Sequence, residues 1–496
     1  MLPGWVRAGA CVSAGVGGAA DWTEADLERH VSCLSELLAG QCSAWNAGLM
    51  CDNSPAWIAV DLAAHVVGTT LIPLPGFFTP AQLEHTIRDS ALSALWCGDR
   101  GTAAQLGFHR EAASFMDLML FERNRDLQPT IAGRVASHEK VTFTSGSTGT
   151  PKGVRLSDTQ QLKPARALAE LMTPLGIQRH LNLLPLSVLL ENVAGVYVSL
   201  MLGATCISPS LRRVGMSGST GFDADRCLAA IAENMPDSVI LLPQMLREVV
   251  GHLRETGGTD SRIRSLKFVA VGGGKTSPDL ILRARNLGLP VFEGYGLSEC
   301  GSVVTVNVPS ADRVGSVGKP LRGTAVRVAA SGEIEVGGRG GTGYPAARGA
   351  AGDEWLGTAD LGHLDKDGYL FIEGRKDNLL VTSFGRNVSP EWPESLLLDS
   401  PVIGQAAIFG EGRPYLAAVL SARTQAVTDQ ALDDAVRTAN LQLPDYARIG
   451  TWLRAREPFV PGNGMVTANG RVRRSAVWAR YGEELNAMFE KESVQS

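Results

Sequence analysis

A loop of glycine, serine and threonine that ends at a lysine is the stretch of this sequence best suited to chemistry. The β-branched run at 141–144 leads into Ser-Gly-Ser-Thr-Gly-Thr-Pro, and Lys152 comes directly after it. Such a loop offers backbone N–H groups and hydroxyls, with no large side chain to keep a phosphate away. The lysine adds a mobile positive charge for phosphoryl oxygens. No Gly-Lys-Ser/Thr sequence closes the loop, so it is not a Walker A site.

Ordinary surface loops have the same composition, so phosphate binding needs partner motifs downstream. A strand-like run from residue 265 leads into three glycines at 272–274, which let the backbone approach a flat ring closely. A second strand, at 290–293, leads into the turn at 294–299, which contains Tyr295 and Glu299.

With these partner motifs the chain resembles the acyl-adenylate-forming superfamily, which includes acyl-CoA synthetases, luciferases and the adenylation domains of peptide synthetases. The resemblance extends over about residues 52–474 and includes six motifs in the superfamily's order. It implies a ligase that uses ATP and Mg²⁺ to activate a carboxylic acid as acyl-AMP, with release of pyrophosphate. The acyl group would then pass to a thiol or an amine, and CoA remains open as the acceptor.

The resemblance also implies roles for individual residues. Lys152, Glu299 and Arg471 are the expected catalytic residues, and Thr144 and Glu299 are the expected metal ligands. Tyr295 is expected to stack on adenine, Asp360 to bind the ribose hydroxyls, and Arg375 to pair with ribose or phosphate. The residues expected to bind ATP are Thr144, Ser145, Gly146, Ser147, Thr148, Gly149, Gly272, Gly273, Gly274, Glu293, Gly294, Tyr295, Gly296, Leu297, Ser298, Asp360 and Arg375.

The resemblance further implies a substrate pocket and a hinge. The expected pocket residues are Val188, Asn192, Gly272 and Leu297. Asp377 is the expected hinge about which a small C-terminal domain rotates. For Val188 a plain core helix is an equally good interpretation, because the superfamily has an aromatic residue or histidine there.

Three further positions depart from the superfamily pattern. Arg471 replaces a lysine; it keeps the positive charge and can bind oxyanions bidentately, but it is not equivalent to lysine. Ala359 stands where glycine is usual. Phe384 replaces the glycine that lets pantetheine pass in CoA ligases, so it narrows that route unless the loop rearranges at Gly385.

These departures keep two other hypotheses open. One is a diazotase-type enzyme that adenylates nitrite for attack by an aromatic amine, without CoA. The other is a non-catalytic nucleotide-binding module, which the presence of Lys152, Glu299, Asp360 and Arg375 disfavours. A GxGxxG sequence at 338–343 is not a dinucleotide site, because no helix pattern follows it; it predicts a hairpin turn.

The length of 496 residues predicts more than one domain. Helix patterns at 56–67, after a turn that ends at Pro55, and at 80–90, capped by Thr79, alternate with strand patterns and indicate parallel β-α-β units. We predict an α/β fold: a large N-terminal region of mixed, mostly parallel sheets and helices at 1–376. A small α+β C-terminal lid domain is predicted at 377–496.

The composition gives no indication of a macromolecular partner, and the resemblance implies a small-molecule substrate. A net charge of −5 gives no reason to expect nucleic acid or an anionic membrane. The apolar segment 183–204 is interrupted by Glu191 and Asn192, which favours a buried strand and helix over a membrane span. No secretory signal pattern is present, and the eight cysteines form no CxxC pair, which favours reduced thiols in the cytoplasm. A monomer or a homodimer is expected.

Overall fold

The computed structural model describes residues 1–18, 21–41, 46–123, 139–145, 151–218, 221–257, 260–337, 355–467 and 470–493. The strands of the larger, N-terminal part are β1 (Cys11–Ser13), β2 (Asp21–Trp22), β3 (Asn46–Met50), β4 (Thr70–Pro73), β5 (Ala94–Cys97), β6 (Arg110–Phe115), β7 (Leu118–Glu122), β8 (Glu139–Ser145), β9 (Pro151–Ser157), β10 (Arg179–Leu181), β11 (Thr205–Ile207), β12 (Met216–Ser217), β13 (Gly221–Phe222), β14 (Ser238–Leu241), β15 (Phe268–Val271), β16 (Val291–Tyr295), β17 (Thr305–Val306) and β18 (Lys319–Pro320). The later strands are β19 (Ala325–Val328), β20 (Glu333–Gly337), β21 (Leu356–Leu364), β22 (Leu370–Arg375), β23 (Leu380–Val381), β24 (Asn387–Val388), β25 (Ile403–Phe409), β26 (Leu416–Ala422) and β27 (Ile449–Arg454).

Several helices begin at a side-chain cap that the sequence provides. They are α1 (Glu24–Gln41), α2 (Pro55–Val67), α3 (Pro80–Asp89), α4 (Arg100–Gln105), α5 (Asp158–Met172), α6 (Val198–Leu202), α7 (Ala224–Asn234), α8 (Pro243–Glu255), α9 (Pro278–Asn286), α10 (Glu391–Leu397), α11 (Asp429–Asn440) and α12 (Arg474–Ser493). The Thr79 hydroxyl accepts from the backbone of Gln82, whose side chain accepts from the Thr79 backbone in return. This reciprocal pair satisfies two donors at the start of α3, as the sequence predicts.

Within the described residues, two large sheets form the N-terminal part. One has the strand order β18-β17-β16-β15-β14-β10-β11-β1-β2, and the other has the order β6-β7-β5-β3-β4-β8-β9. Strands β11, β10, β14, β15 and β16 pair in parallel. Their carboxyl ends therefore meet at one edge, where parallel sheets commonly bind ligands. The glycines at 272–274 and the turn at 294–299 leave the sheet at this edge.

The residues between the phosphate loop and the next helix form a strand. β9 begins at Pro151, pairs with β8 in an antiparallel hairpin and ends at Ser157, which caps α5. Lys152 therefore lies on a strand, opposite Thr144, and its backbone is held by the ladder. The predicted hairpin at 338–343 lies outside the described residues.

The C-terminal residues form a separate, smaller arrangement. A sheet of order β25-β26-β27 contains both antiparallel and parallel pairs. Helices α10 and α11 cover one face of this sheet with an apolar core, and α12 covers the other. The predicted fold class, a large α/β region with a small α+β domain, is confirmed by this architecture. The boundary at 376/377 stays a prediction.

The apolar segment after β10 contains an element that the sequence pattern does not reveal. Residues Glu191–Tyr197 form a π-helical turn that continues into α6. Among the described residues, no helix combines the length and the apolar character that a bilayer crossing requires.

The π-helical turn contributes to a buried polar network. The ammonium of Lys140 lies 2.8 Å from Oδ1 of Asp61, and both side chains are about 1 % exposed. Lys140 also donates to Asn192 and to the hydroxyl of Tyr197. The Tyr197 hydroxyl in turn donates to Asp61 Oδ2. Since these residues lie on α2, β8 and the π-helical turn, the network fixes the strand that leads to the phosphate loop.

Candidate active site

The β8–β9 hairpin positions the first two candidate residues. Thr144 Oγ1 lies 3.5 Å from the carbonyl oxygen of Lys152, and the Lys152 side chain is exposed. The imidazole of His85, on α3, lies 3.0 Å from the carbonyl oxygen of Pro151 at the start of β9. Ser145 ends β8, while Gly146, Ser147, Thr148 and Gly149 lie outside the described residues. Lys152 is thus presented on a rigid strand at the end of the loop.

Glu299 lies close to this hairpin. It belongs to the 3₁₀ turn Ser298–Cys300, which packs against β9 and so brings the metal-ligand candidate near the strand that carries Lys152. Gly301 ends the turn with φ of +74°, and a Cβ there would come within 2.0 Å of the carbonyl oxygen of Gln160 on α5. Because only glycine fits this contact, the turn is held against α5 and the half-buried Glu299 is fixed beside the hairpin.

Two of the three glycines at 272–274 form an open backbone surface. Gly272 is buried, whereas Gly273 and Gly274 are exposed, and Gly273 has φ of +81°. A Cβ at Gly274 would meet nothing closer than the ring of Pro243 at 3.6 Å. At Gly296 a Cβ would lie 1.6 Å from the carbonyl oxygen of Ser302, so that position admits glycine alone. A flat ring such as adenine has room to lie against the exposed backbone of Gly273 and Gly274.

Tyr295, Asp360 and Arg375 form a hydrogen-bonded group beside these glycines. The Tyr295 hydroxyl donates to Asp360 Oδ2 at 2.6 Å, and Arg375 Nη1 donates to Asp360 Oδ1 at 3.1 Å. Burial raises the pKa of Asp360, while Tyr295 and Arg375 oppose that rise. Burial, and then the charge of Asp360, raise the pKa of Tyr295, which stays a donor. Two donors thus orient the Asp360 carboxylate, and its remaining lone pairs can accept hydrogen bonds from hydroxyl groups.

Arg471 connects the C-terminal residues to this site. Its Nη2 donates to the carbonyl oxygen of Gly273 at 3.2 Å, across 198 residues of chain. The residue is exposed and follows Gly470, which has φ of +76°. The lid cation therefore already reaches the glycine surface in the orientation observed.

Glu293 has an unusual environment at the carboxyl end of β16. It is buried, and burial raises its pKa to about 8, although hydrogen bonds from Thr276 and the charge of Lys275 oppose the shift. The carboxyl is therefore largely protonated at neutral pH. A neutral carboxyl behind the glycine loop can donate a hydrogen bond, and it adds no negative charge near bound phosphates.

The pocket residues fall into two groups. Val188 and Leu297 are half-buried near the sheet edge, as is expected of pocket walls. Asn192 is 1 % exposed, and its amide bonds Lys140 and Asp61. Asn192 therefore belongs to the buried network, and we do not retain it in the pocket. Three further half-buried apolar residues pack against both large cores: Leu190, Ala194 and Ala270.

The hinge candidate and Phe384 lie on exposed connections. Asp377 is exposed on the 3₁₀ turn Lys376–Asn378, directly after Arg375. Phe384 lies in the turn between β23 and β24 and is 75 % exposed, next to Gly385 with φ of +69°. In this orientation of the lid the Phe384 ring projects into solvent.

The sequence matches two protein-family models and is similar to known enzymes. Residues 6–351 match the model for AMP-binding enzymes, and residues 377–493 match the model for the C-terminal domain of AMP-binding enzymes. The long-chain-fatty-acid–CoA ligase FadD15 of Mycobacterium bovis is 24% identical; the aligned part covers 88% of this chain and 86% of that protein.

Two solved structures share the fold. The o-succinylbenzoate CoA synthetase MenE of Bacillus subtilis, in complex with ATP and magnesium ion, is 21% identical with a TM-score of 0.69; the match covers 92% of this chain and 94% of that one. The amide bond synthetase McbA of Marinactinospora thermotolerans is 23% identical with a TM-score of 0.74; the match covers 96% of this chain and 99% of that one. The chain therefore belongs to the AMP-binding enzyme family, the adenylate-forming ligases that its motifs resemble.

Proposed function

We propose that this ATP-dependent ligase activates an apolar or aromatic carboxylic acid as its acyl adenylate and transfers the acyl group to a thiol or an amine. The contact of Arg471 with Gly273 is the observation that carries the proposal. It brings a lid cation to the glycine surface that Tyr295 and Asp360 also border. A nucleotide-binding module without catalysis would have no need for a cation supplied by a second domain.

The first half-reaction is an in-line displacement at the α-phosphorus of ATP. A carboxylate oxygen forms a bond to phosphorus, and the bond between the α-phosphorus and pyrophosphate breaks. Lys152 stabilises the departing phosphates, and Arg471 stabilises charge on the acid and the α-phosphate. Asp360, fixed by its two donors, holds the ribose and so aligns the nucleotide.

The oxygen donors in this region fit a magnesium ion. Glu299 is half-buried beside β9, and Thr144 lies on β8 of the same hairpin, opposite Lys152. Carboxylate, hydroxyl and phosphate oxygens form the ligand set that Mg²⁺ takes in nucleotide sites. When bound, the ion supplies positive charge for the developing negative charge of the phosphates.

The second half-reaction replaces AMP. A thiolate or a neutral amine attacks the acyl carbon, and the bond between that carbon and the AMP oxygen breaks. The relatives support both acceptors, since one is a CoA ligase and another an amide bond synthetase. Phe384 is 75 % exposed, so its ring is free to turn away from an approaching thiol.

The apolar residues proposed to surround the substrate favour an apolar or aromatic carboxylic acid. Val188, Leu190, Ala194 and Ala270 carry no charge, and burying them against an apolar chain or ring would stabilise binding by about 0.8 kcal/mol per methylene. We also infer a reduced, cytoplasmic setting, because the eight cysteines of the sequence form no CxxC pair. A monomer or homodimer stays a prediction, to be checked by analytical ultracentrifugation.

Pyrophosphate release from ATP and Mg²⁺ tests the proposal. The acids are decanoate, benzoate, succinate and nitrite, each with CoA, with an aromatic amine, or with no acceptor. We expect release with decanoate or benzoate, little with succinate, and product only when a thiol or amine is added. Release with nitrite alone, independent of CoA, would replace the acyl proposal with the diazotase alternative. No release with any acid would refute an adenylating function.

A further inference from the structure

The lid contacts the large domain at a second place, away from Arg471. Asp399, just after α10, accepts a hydrogen bond from the Ser277 hydroxyl at 2.6 Å through Oδ2. Its Oδ1 lies 3.4 Å from Nη2 of Arg283, and its carbonyl oxygen accepts from Nη1 of the same residue at 3.3 Å. The Asp399 side chain is 10 % exposed, so these bonds form where water is largely excluded.

A second contact between the lid and the large domain lies on α8, the helix that precedes α9 in the chain. Arg423, after β26, donates through Nη1 to both carboxylate oxygens of Glu248 on α8, at 2.8 and 2.7 Å. The two side chains are 39 % and 31 % exposed, so this ion pair is weaker than the buried contact of Asp399 and supplements it. Helices α8 and α9 therefore each hold one charged residue of the lid, and two separate contacts define a single orientation of the lid.

The Asp399 contact lies next to the glycine loop at 272–274. Ser277 caps α9 by accepting from the backbone of Leu280, and it lies three residues beyond Gly274. Lys275, between them, donates to the carbonyl oxygens of Ile372 and Glu373 on β22, just before the proposed hinge. Arg471 contacts Gly273 on the same loop. One loop thus contacts the lid at two points and the strand before the hinge at a third.

We propose that Asp399 with Ser277 and Arg283, and Arg423 with Glu248, form a latch that positions the lid for adenylation and must open before acyl transfer. This inference rests on the proposed two-step function. The five residues are positioning residues, because none of them contacts the expected reacting atoms. The latch explains how Arg471, on an exposed loop, is delivered to one place on the glycine surface.

A reversible covalent latch tests this directly. The double variant Ser277→Cys/Asp399→Cys places two thiols where a 2.6 Å hydrogen bond exists, and peptide mass spectrometry reports whether a disulfide forms. The first half-reaction is followed by exchange of labelled pyrophosphate into ATP with the acid that the panel identifies. The second is followed by transfer from synthetic acyl adenylate. Oxidised wild type and the two single variants control for native thiols and for the lost cap.

We expect the oxidised double variant to keep exchange within about threefold of its reduced form and to lose transfer by more than about tenfold. Reduction should restore transfer. Transfer at an equal rate in the oxidised and reduced forms would refute the latch, as would failure of the disulfide to form. If the disulfide forms but no acid supports exchange in wild type, the proposed function has failed while the contact itself stands.

Reversing the charges of the Arg423–Glu248 ion pair gives an independent test of the latch. Arg423→Glu or Glu248→Arg alone should raise the ratio of transfer rate to exchange rate by about tenfold, because each opens one half of the latch. The double variant E248R/R423E should bring that ratio back toward the wild-type value. Equal loss of both half-reactions in the single variants, without rescue in the double variant, would indicate general damage and would contradict the proposal.

Discussion

The phenol of Tyr295 donates to Asp360 at 2.6 Å and joins the end of β16 to β21. Since this bond orients the carboxylate proposed to hold the ribose, Tyr295→Phe should raise KM for ATP about tenfold, as expected for loss of a hydrogen bond to a charged group. Tyr446→Phe, at a 39 % exposed position, is the control and should leave KM unchanged. Steady-state kinetics over ATP concentration measures both. An unchanged KM in Tyr295→Phe would argue against Asp360 as the ribose ligand.

Replacement of Arg471 should separate the two half-reactions. Arg471→Ala should slow pyrophosphate exchange about 100-fold, as for removal of one charge-stabilising donor. Transfer from preformed acyl adenylate should change little. Arg480→Ala, which removes an exposed arginine on α12, is the charge-matched control. Equal slowing of both half-reactions would place Arg471 in general binding rather than in adenylation.

Glu293 should make stability depend on pH. Its pKa is 4.5 ordinarily and about 8 in the folded chain, so between these values the native state binds a proton that the unfolded state has released. The free energy of unfolding should therefore fall as pH rises from 4.5 to 8, by about 1.4 kcal/mol per pH unit from this residue. Urea denaturation of Glu293→Gln and wild type should show a difference that grows in favour of the variant with pH. Parallel profiles would mean that Glu293 is ionised in the native state.

Ala359 adopts φ of +58°, a left-handed conformation that costs an alanine about 1–2 kcal/mol. Glycine relieves this strain, but its greater freedom in the unfolded chain lowers the free energy of unfolding by about 0.4–1 kcal/mol. Ala359→Gly should therefore stabilise the protein by about 0.5–1 kcal/mol, as measured by chemical denaturation. Ala325→Gly, on the exposed side of β19, should destabilise it instead. A loss of stability in Ala359→Gly would contradict the strain.

The buried pair of Lys140 and Asp61 should be costly to break on one side. Lys140→Met leaves a carboxylate stranded in the core and should lower the free energy of unfolding by about 3–5 kcal/mol. Adding Asp61→Asn should recover part of this loss. Lys267→Met, whose ion pair with Asp237 is at the surface, should cost less than about 1 kcal/mol. Denaturation curves showing equal losses for Lys140→Met and Lys267→Met would contradict the burial argument.

The sequence by itself determined the family, the order of the motifs and most local structure. Helix caps such as Thr79 and the glycines at 272–274 act through neighbouring residues, so short patterns reveal them. Tyr295, Glu299 and Asp360 were identified from their motifs in the same way. The motif around Asn192 predicts a pocket residue, but in the folded chain Asn192 is buried and its amide bonds Lys140 and Asp61.

The tertiary structure decided what depends on distant residues. Asn192 lies with Lys140 and Asp61 because three elements converge there, and no local pattern encodes that convergence. The strand position of Lys152 depends on pairing with β8. The raised pKa of Glu293 depends on its burial, which is a property of the packed core. The latch from Asp399 to Ser277 spans 122 residues, and only the folded chain brings its two ends together.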